Sequence, residues 1–313
     1  MIVDIYLVLQ DSVYSRIKYI LTMRVVVLGG AGQIGAPLVK LLNNLGHMAS
    51  SIDILDYAEF DLRLKSRKWI DELEKADFVF FLAFDVGGSK YLENKQRDKT
   101  FIDNNVQIMF NTFNAIEELS KPLVFVSSQM SGMNYSVYGI LKRLGEFYTQ
   151  TMNGVVCKFW NVYGIEHSIE TNHVVSDFVN MALKSNEIKM RTSGKERRQF
   201  LFVEDACNAL VALMDNYSDL DKNVSYDVSS HEWITVLELA NIISSLTGAS
   251  IIPGIEEDAT HFDSKLEQSR SSSIIFQPKI EPNHEISPIW RPKYKLLEGL
   301  QIIVKTMKQS KPK

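Results

Sequence analysis

The stretch Val25-Val26-Val27-Leu28-Gly29-Gly30-Ala31-Gly32-Gln33-Ile34-Gly35 runs four apolar residues straight into glycines at 29, 32 and 35. A strand that is apolar on both sides belongs in a sheet covered by helices on both faces. Gly29 and Gly32 let the chain turn tightly and let its backbone approach a pyrophosphate. N–H groups at the start of a helix, around Gln33 and Ile34, would hold the anion's charge, and Gly35 lets helix and strand pack closely. Pro37 fits a first helical turn. Such a glycine pattern also occurs in ordinary turns, so the reading needs company. Asp53, at the end of the predicted strand Ser51–Leu55, supplies it. It stands roughly 20 residues on, where a carboxylate accepts hydrogen bonds from the adenosine ribose. Taken alone, Asp53 is equally a solvated strand end. No arginine follows it, which favours NAD over NADP.

From this stretch outward, apolar runs of strand length alternate with helical patterns: Val25–Leu28, Ser51–Leu55, Phe78–Ala83, Leu123–Ser127 and Gly154–Phe159. That alternation predicts an α/β fold, a doubly wound parallel sheet of Rossmann type. After Gly164 the rhythm changes to isolated helices, one further strand-like piece (Val224–Ser229) and a Pro- and Ser-rich stretch, 269–292. A smaller, mainly helical C-terminal lobe for the substrate is expected there. The predicted division gives the dinucleotide-binding domain residues 23–165 and about 203–229, and the substrate lobe residues 166–202 and 230–313. Residues 1–22 carry Asp4 and Asp11 and fail as a signal peptide or membrane span. They read as an extension with no assigned function.

The 313 residues carry a net charge of −4, are 45% hydrophobic and 23% charged, and include 2 cysteines. This is an ordinary globular composition with no basic footprint for nucleic acid. Two cysteines without C-x-x-C spacing offer neither a disulfide framework nor a metal site. A cytoplasmic protein is expected.

Tyr138-Gly139-Ile140-Leu141-Lys142 sets a phenol and an ammonium four residues apart, on one face of a predicted helix. A tyrosine of ordinary pKa, about 10, is a poor base at neutral pH, and a neighbouring cation is the simplest way to favour its phenolate. About ten residues earlier, the strand Leu123–Ser127 ends in hydroxyls, Ser127 and Ser128, where open α/β sheets place ligands. By itself, Tyr-x-x-x-Lys is common on solvated helices. Its position beside that strand gives it meaning.

In these residues the chain resembles the extended short-chain dehydrogenase/reductases, the NAD-dependent sugar-nucleotide epimerases and dehydratases. The resemblance runs from Met23 to about Ile303. Beside the motifs above it includes Asp61-Leu62-Arg63 as an adenine-contacting segment, Leu82-Ala83 at a strand end, and Asn105 in the next helix. It continues through Asn161-Val162-Tyr163-Gly164, Arg198-Gln199-Phe200 and Trp290-Arg291-Pro292. The resemblance implies that Tyr138 takes the proton of a sugar hydroxyl, usually at C4, while hydride passes to NAD. It implies further that Ser128 holds the same oxygen and that Lys142 tunes Tyr138 and binds the cofactor ribose. A homodimer through the helices around Asn105 and Tyr138 is also implied.

Departures from the pattern narrow the chemistry. Dehydratases of the family carry an Asp-Glu pair beside the serine, and here Gln129 and Met130 stand there. The loop Phe84-Asp85-Val86-Gly87-Gly88 resembles that of GDP-mannose 3,5-epimerases, which have a cysteine at the Met130 position; a thioether cannot shuttle protons. What remains is C4 oxidation of a nucleotide-diphosphate sugar, with a GDP-manno-hexose or heptose suggested by the Gly87-Gly88 loop. The net reaction is either that oxidation or a 4-epimerisation passing through it, and a catalytically silent NAD sensor is the rival from another class.

On the substrate side, Asn161, Asn172 and His173 are expected to line the sugar and diphosphate. His173 is either a second acid or base or the cap of a helix starting near Val174. Arg198 is the anchor for the diphosphate, against an ion pair with Glu196 or Glu204, and Arg270 or Lys279 is a further cation. Trp233 and Trp290 read as packing residues.

Overall fold

The computed structural model describes residues 22–166, 172–255 and 281–309. The extension before Thr22, Arg270 and Lys279 lie outside them. The chain begins with β1 (Arg24–Leu28), α1 (Gly35–Asn44), β2 (Met48–Ile52), α2 (Arg67–Glu74), β3 (Phe78–Phe81), α3 (Ser89–Lys95) and α4 (Lys99–Glu118). Then come β4 (Leu123–Ser128), α5 (Val137–Thr151), β5 (Val155–Phe159), β6 (Val162–Tyr163), α6 (Val174–Ser185), β7 (Glu187–Lys189), β8 (Arg197–Gln199) and β9 (Leu201–Phe202). The rest comprises α7 (Val203–Asp215), β10 (Ser225–Val228), β11 (Trp233–Thr235), α8 (Val236–Thr247), β12 (Ser250–Ile252) and α9 (Leu296–Gln309).

Six parallel strands form the main sheet in the order β2-β1-β3-β4-β5-β10. Successive side chains of a strand point to opposite faces, and both faces here are covered. Val25, Val27, Phe78 and Phe80 share one core with Leu38 and Leu42 of α1 and Leu210 of α7. Val26, Leu28, Val79 and Phe81 share the other with Trp69 of α2, Phe113 of α4 and Leu141 of α5. Burying side chains of this size contributes about 1.5–3 kcal/mol each, which is why these strands read as unbroken apolar runs. The chain winds from β1 to β2 on one side, then crosses to β3 on the other. That topological switch opens a crevice at the carboxyl ends of β1 and β3.

Two expectations need correction. The second strand occupies Met48–Ile52 rather than Ser51–Leu55. It is the sheet's edge, where Ala49, Ser50 and Ser51 suffice, and the chain turns after it as the Asp56 N–H donates to the Asp53 carbonyl at 3.0 Å. Beyond β5, a single strand-like piece was expected. Three two-stranded pairs accompany β10: β6 with β9, β7 with β12, and β8 with β11. Strands of two or three residues are too short to display a period of two. The helices α6, α8 and α9 pack around these pairs. Among the described residues no helix is long and apolar enough to cross a membrane.

Candidate active site

The glycine turn lies in the crevice. Gly29 has a positive φ of 84°, and a Cβ there would fall 2.6 Å from the amide nitrogen of Ala83, so only glycine fits between the ends of β1 and β3. The N–H groups of Leu82 and Ala83 donate to the Leu28 carbonyl at 2.8 and 2.9 Å. The Gly32 N–H donates back to the Gly29 carbonyl, Ile34 stands at the N-cap of α1 without a side-chain cap, and Gly35 opens the helix. Asp53 reaches across from the end of β2, its Oδ2 accepting from the Ala31 N–H at 3.2 Å and its Oδ1 from Leu55 at 2.9 Å. A carboxylate has about four acceptor positions, so capacity for ribose hydroxyls remains. Gln33 Nε2 is buried and without a partner among the described residues, a donor open to a ligand acceptor. These groups fit a dinucleotide.

At the end of β4, Ser128 Oγ accepts from the Met130 N–H at 3.2 Å and hydrogen-bonds the Tyr138 phenol. Gln129 and Met130 form part of a short 3-10 turn, 129–132, half-buried beside it. The helix carrying the phenol starts cleanly because Ser136 Oγ accepts from the Gly139 N–H at 3.1 Å. Lys142, one turn beyond Tyr138, is buried; its Nζ donates to the Val126 carbonyl at 2.8 Å and lies 3.8 Å from the centroid of Phe84. Burial drives the two groups in opposite directions. The phenol is pushed up to about 12, the Ser128 contact opposing. The ammonium is pushed down to about 7, the Glu146 carboxylate opposing. Both shifts disfavour charge, so a further positive charge beside the phenol would act strongly in so apolar a setting.

The loop after β3 connects this group to the second lobe. Phe84 stands edge-on to Tyr138, 5.6 Å between centroids. Asn105 is fully buried and its amide is engaged by the Asp85 backbone, accepting from N–H at 2.8 Å and donating to C=O at 3.1 Å. The Asp85 carboxylate takes the Tyr91 hydroxyl at 2.5 Å and the Asn104 amide at 2.9 Å. Asn104 in turn accepts from Arg63, which is paired in two hydrogen bonds with Asp61. That pairing holds the Asp61 carboxyl below its ordinary value, and Leu62 between them is buried. The segments 61–63 and 84–91 are thus one polar network. At the loop's far end, a Cβ on Gly88 would fall 2.2 Å from the Asn172 carbonyl oxygen. Gly87 and Gly88 are buried against the entry to α6.

Asn172 is buried with Oδ1 unpartnered. His173 is the N-cap residue of α6, but its side chain makes no cap; Nδ1 meets Glu166 Oε1 at 2.6 Å instead. Asn161, at a positive φ of 25°, donates its amide to the Gln199 carbonyl at 3.2 Å, which places it next to Arg198. Of the two glutamates considered as Arg198 partners, Glu196 accepts from Thr192 and Glu204 from Tyr294, and Arg198 itself donates to the Arg197 carbonyl at 2.9 Å. Trp233 donates to Glu281 and stands edge-on to Trp160, and Trp290 is part of the core.

Several residues here escaped the sequence reading. Phe84 was read only as the first residue of the loop to Gly88, with no contact to Tyr138 or Lys142 expected of it. Gly139 lets α5 approach the 129–132 turn, since a Cβ there would fall 2.1 Å from the Met130 carbonyl oxygen. Glu146 is almost wholly buried, bound to Ser127 at 2.6 Å and Arg143 at 2.7 Å. The one available signal was its spacing, four residues beyond Lys142.

The sequence matches the NAD dependent epimerase/dehydratase family over residues 25–229, more than half the chain. Among curated proteins, the one from Oryza sativa subsp. japonica named Probable GDP-L-fucose synthase 1 is similar, at 25% identity over 88% of this chain and 89% of that one. UDP-glucuronic acid decarboxylase 6 of Arabidopsis thaliana is 24% identical over 90% of this chain and 88% of its own length. In fold, the chain is similar to a GDP-6-OMe-4-keto-L-xylo-heptose reductase from C. jejuni, with a TM-score of 0.74 at 16% identity, covering 93% of this chain and 99% of that one. The glycine turn, the serine–tyrosine–lysine group and the matched span together place this chain in the NAD dependent epimerase/dehydratase family, with NAD as its cofactor.

Proposed function

We propose that the chain oxidises C4 of a nucleotide-activated sugar of GDP-manno type, hexose or heptose, to the 4-keto sugar. The observation that carries this is the assembled Ser128–Tyr138–Lys142 group beside Gln129 and Met130, neither of which can serve as acid or base at neutral pH. NAD, when bound, would supply the hydride acceptor for C4, and the residues that would hold it are these. The turn from Gly29 through Gly32 to Gly35, with Gln33 and Ile34, holds its pyrophosphate, Asp53 its adenosine ribose, and Asp61 and Leu62 the adenine edge. Leu82, Ala83 and Asn105 shape the floor beside it. Tyr138 takes the proton of the C4 hydroxyl as the hydride leaves, and Ser128 donates to the oxygen as it becomes a carbonyl. Lys142 supplies positive charge next to the phenol and binds the nicotinamide ribose.

The sugar lies against Gly87, Gly88, Gln129 and Met130, with Asn161, Asn172 and His173 around it and Arg198 on the diphosphate. Arg198 suits this because a guanidinium offers two parallel donors. The names of two similar proteins, each of which handles a GDP-sugar, support the GDP assignment. The domain division proposed is 23–165 with about 203–229 against 166–202 with 230–313, supported by β10 joining the main sheet. A homodimer fits the outer face of α4 and α5, where Val106, Phe110, Ile140, Leu144 and Phe147 are exposed at helical spacing.

The test is incubation with NAD and a panel of GDP-, UDP-, CDP- and dTDP-sugars, reading NADH absorbance and product mass. Loss of two hydrogens with accumulating NADH supports the proposal. An isomer of unchanged mass would make the chain a 4-epimerase, loss of water would make it a dehydratase, and silence across the panel would favour the sensor.

A further inference from the structure

Glu146 takes no part in the oxidation proposed above, yet it is a carboxylate whose side chain is 1% exposed. Residues 138, 142 and 146 of α5 stand four apart, so their side chains lie along one face of the helix. Each grips the end of β4. Tyr138 hydrogen-bonds Ser128, Lys142 Nζ donates to the Val126 carbonyl at 2.8 Å, and Glu146 Oε1 accepts from Ser127 Oγ at 2.6 Å. Successive turns of the helix thus hold three consecutive residues of the strand. Gly145 permits the close approach, since a Cβ there would fall 2.4 Å from Cζ of Phe125.

Cations outnumber anions around this carboxylate. Its Oε2 accepts from Arg143 at 2.7 Å, and Oε1 lies 3.4 Å from Lys158 Nζ. Lys158 of β5 stands opposite Ser127, and Asp227 of β10 stands opposite Lys158; the Asp227 carboxylate is taken by the Asn283 N–H at 2.8 Å. The loop after β3 brings the Phe84 ring, while the Asp85 carboxylate is turned to Tyr91 and Asn104. Lys142 Nζ itself meets a carbonyl and the rings of Phe84 and Phe125, 3.8 and 5.1 Å from their centroids, groups that carry no full charge. A buried ammonium needs an opposing charge, and the Glu146 carboxylate supplies one, favouring the protonated lysine against burial. Mere adhesion of α5 to the sheet would be served as well by apolar side chains.

We infer that Glu146 is a positioning residue for catalysis: it is the counter-charge that holds Lys142 as an ammonium, and through Ser127 it sets the end of β4 that carries Ser128. The inference rests on the use of Ser128, Tyr138 and Lys142 proposed above. Without Glu146, Arg143 and Lys158 remain as uncompensated cations, and Lys142 releases its proton to solvent at neutral pH. An uncharged amine cannot favour the Tyr138 phenolate.

The experiment titrates the full chain, labelled with 13C-lysine, and follows the Lys142 Cε signal by NMR without ligand; Lys142→Arg assigns the signal. Glu146→Gln, of nearly the same shape, should lower the midpoint by about 1–3 pH units, and Glu146→Asp should recover part of it. Arg143→Met, at a half-exposed position, removes a cation and should raise it. An unchanged midpoint in Glu146→Gln overturns the inference; should that variant not fold, a midpoint in Arg143→Met at or below the wild-type value overturns it instead. Turnover with NAD and GDP-mannose tests the catalytic half. NADH formation by Glu146→Gln should fall by about 10–100-fold at about pH 8, with the sugar's KM unchanged, and the loss should shrink towards about pH 6 as the ammonium returns. A loss equal at every pH marks a merely structural contact and overturns the inference. Absence of NADH in wild type counts against the C4 reading for this sugar, and the titration then decides the role of Glu146.

Discussion

Lys142 Nζ lies 3.8 Å from the centroid of the Phe84 ring, so the only cation within the catalytic group rests on an aromatic face. The same ring meets Tyr138 edge-on. A desolvated cation–π contact is worth about 2 kcal/mol and an edge-to-face pair about 0.5–1.5 kcal/mol. Phe84→Leu keeps the bulk and removes both. Its denaturant midpoint should fall by the equivalent of about 2 kcal/mol, and NADH formation should fall with it. Unchanged stability would show that the ring serves only as filler.

Tyr138→Phe removes one oxygen from a phenol that hydrogen-bonds Ser128. Turnover should fall by about 10²–10⁴-fold, the usual contribution of a positioned base, while the NAD dissociation constant, read by fluorescence quenching, changes little. Turnover at the wild-type level would remove Tyr138 from the chemistry.

The glycine turn and the serine–tyrosine–lysine group were legible because each obeys a local rule: a strand into glycines, a strand end bearing hydroxyls, a phenol and ammonium one turn apart. The edge strand β2 was misplaced because an edge needs little apolar surface, and its half-buried Ala49 and Ser50 look like a loop. Phe84, Gly139 and Glu166 act through contacts between segments far apart in sequence, or through a carboxylate that only the fold turns toward His173. No period or motif announces such contacts.

Asp53 makes two backbone contacts and has acceptor capacity left for ribose hydroxyls. Hydrogen bonds to a charged group contribute about 1.5–3 kcal/mol, so Asp53→Ala should weaken NAD by roughly 10- to 100-fold. NADP, whose 2′-phosphate the carboxylate repels, should be weakened less or improve. Titration of both cofactors checks this; an unchanged preference would take Asp53 out of the cofactor site.

Phe110 and Phe147 are 53% and 52% exposed on the shared outer face of α4 and α5. Two helices packed side by side, each with an apolar outer stripe, match a second copy of themselves. The double variant Phe110→Glu, Phe147→Glu should therefore run at half the mass of the wild type in light scattering at equal concentration. A wild-type protein that is monomeric at micromolar concentration would discard the dimer.

Lys142 also sets a pH dependence whose sign is fixed. Burial takes its ammonium down to about 7 from an ordinary value of 10.5, against the pull of Glu146. Between those values the unfolded chain holds a proton that the folded chain has released, so stability rises with pH through this window. Below about pH 7 both forms hold the proton, and the cost of burying the charge, on the order of a few kcal/mol, is present in full. Lys142→Met removes that cost. The variant should be more stable than wild type at about pH 6, and the gap should narrow towards about pH 9 as the wild type sheds the charge. Denaturant midpoints of the two proteins at both pH values measure it. A gap that stays constant or widens would mean that Lys142 remains an ammonium in the folded state, and its support for the Tyr138 phenolate would then persist before any cofactor arrives.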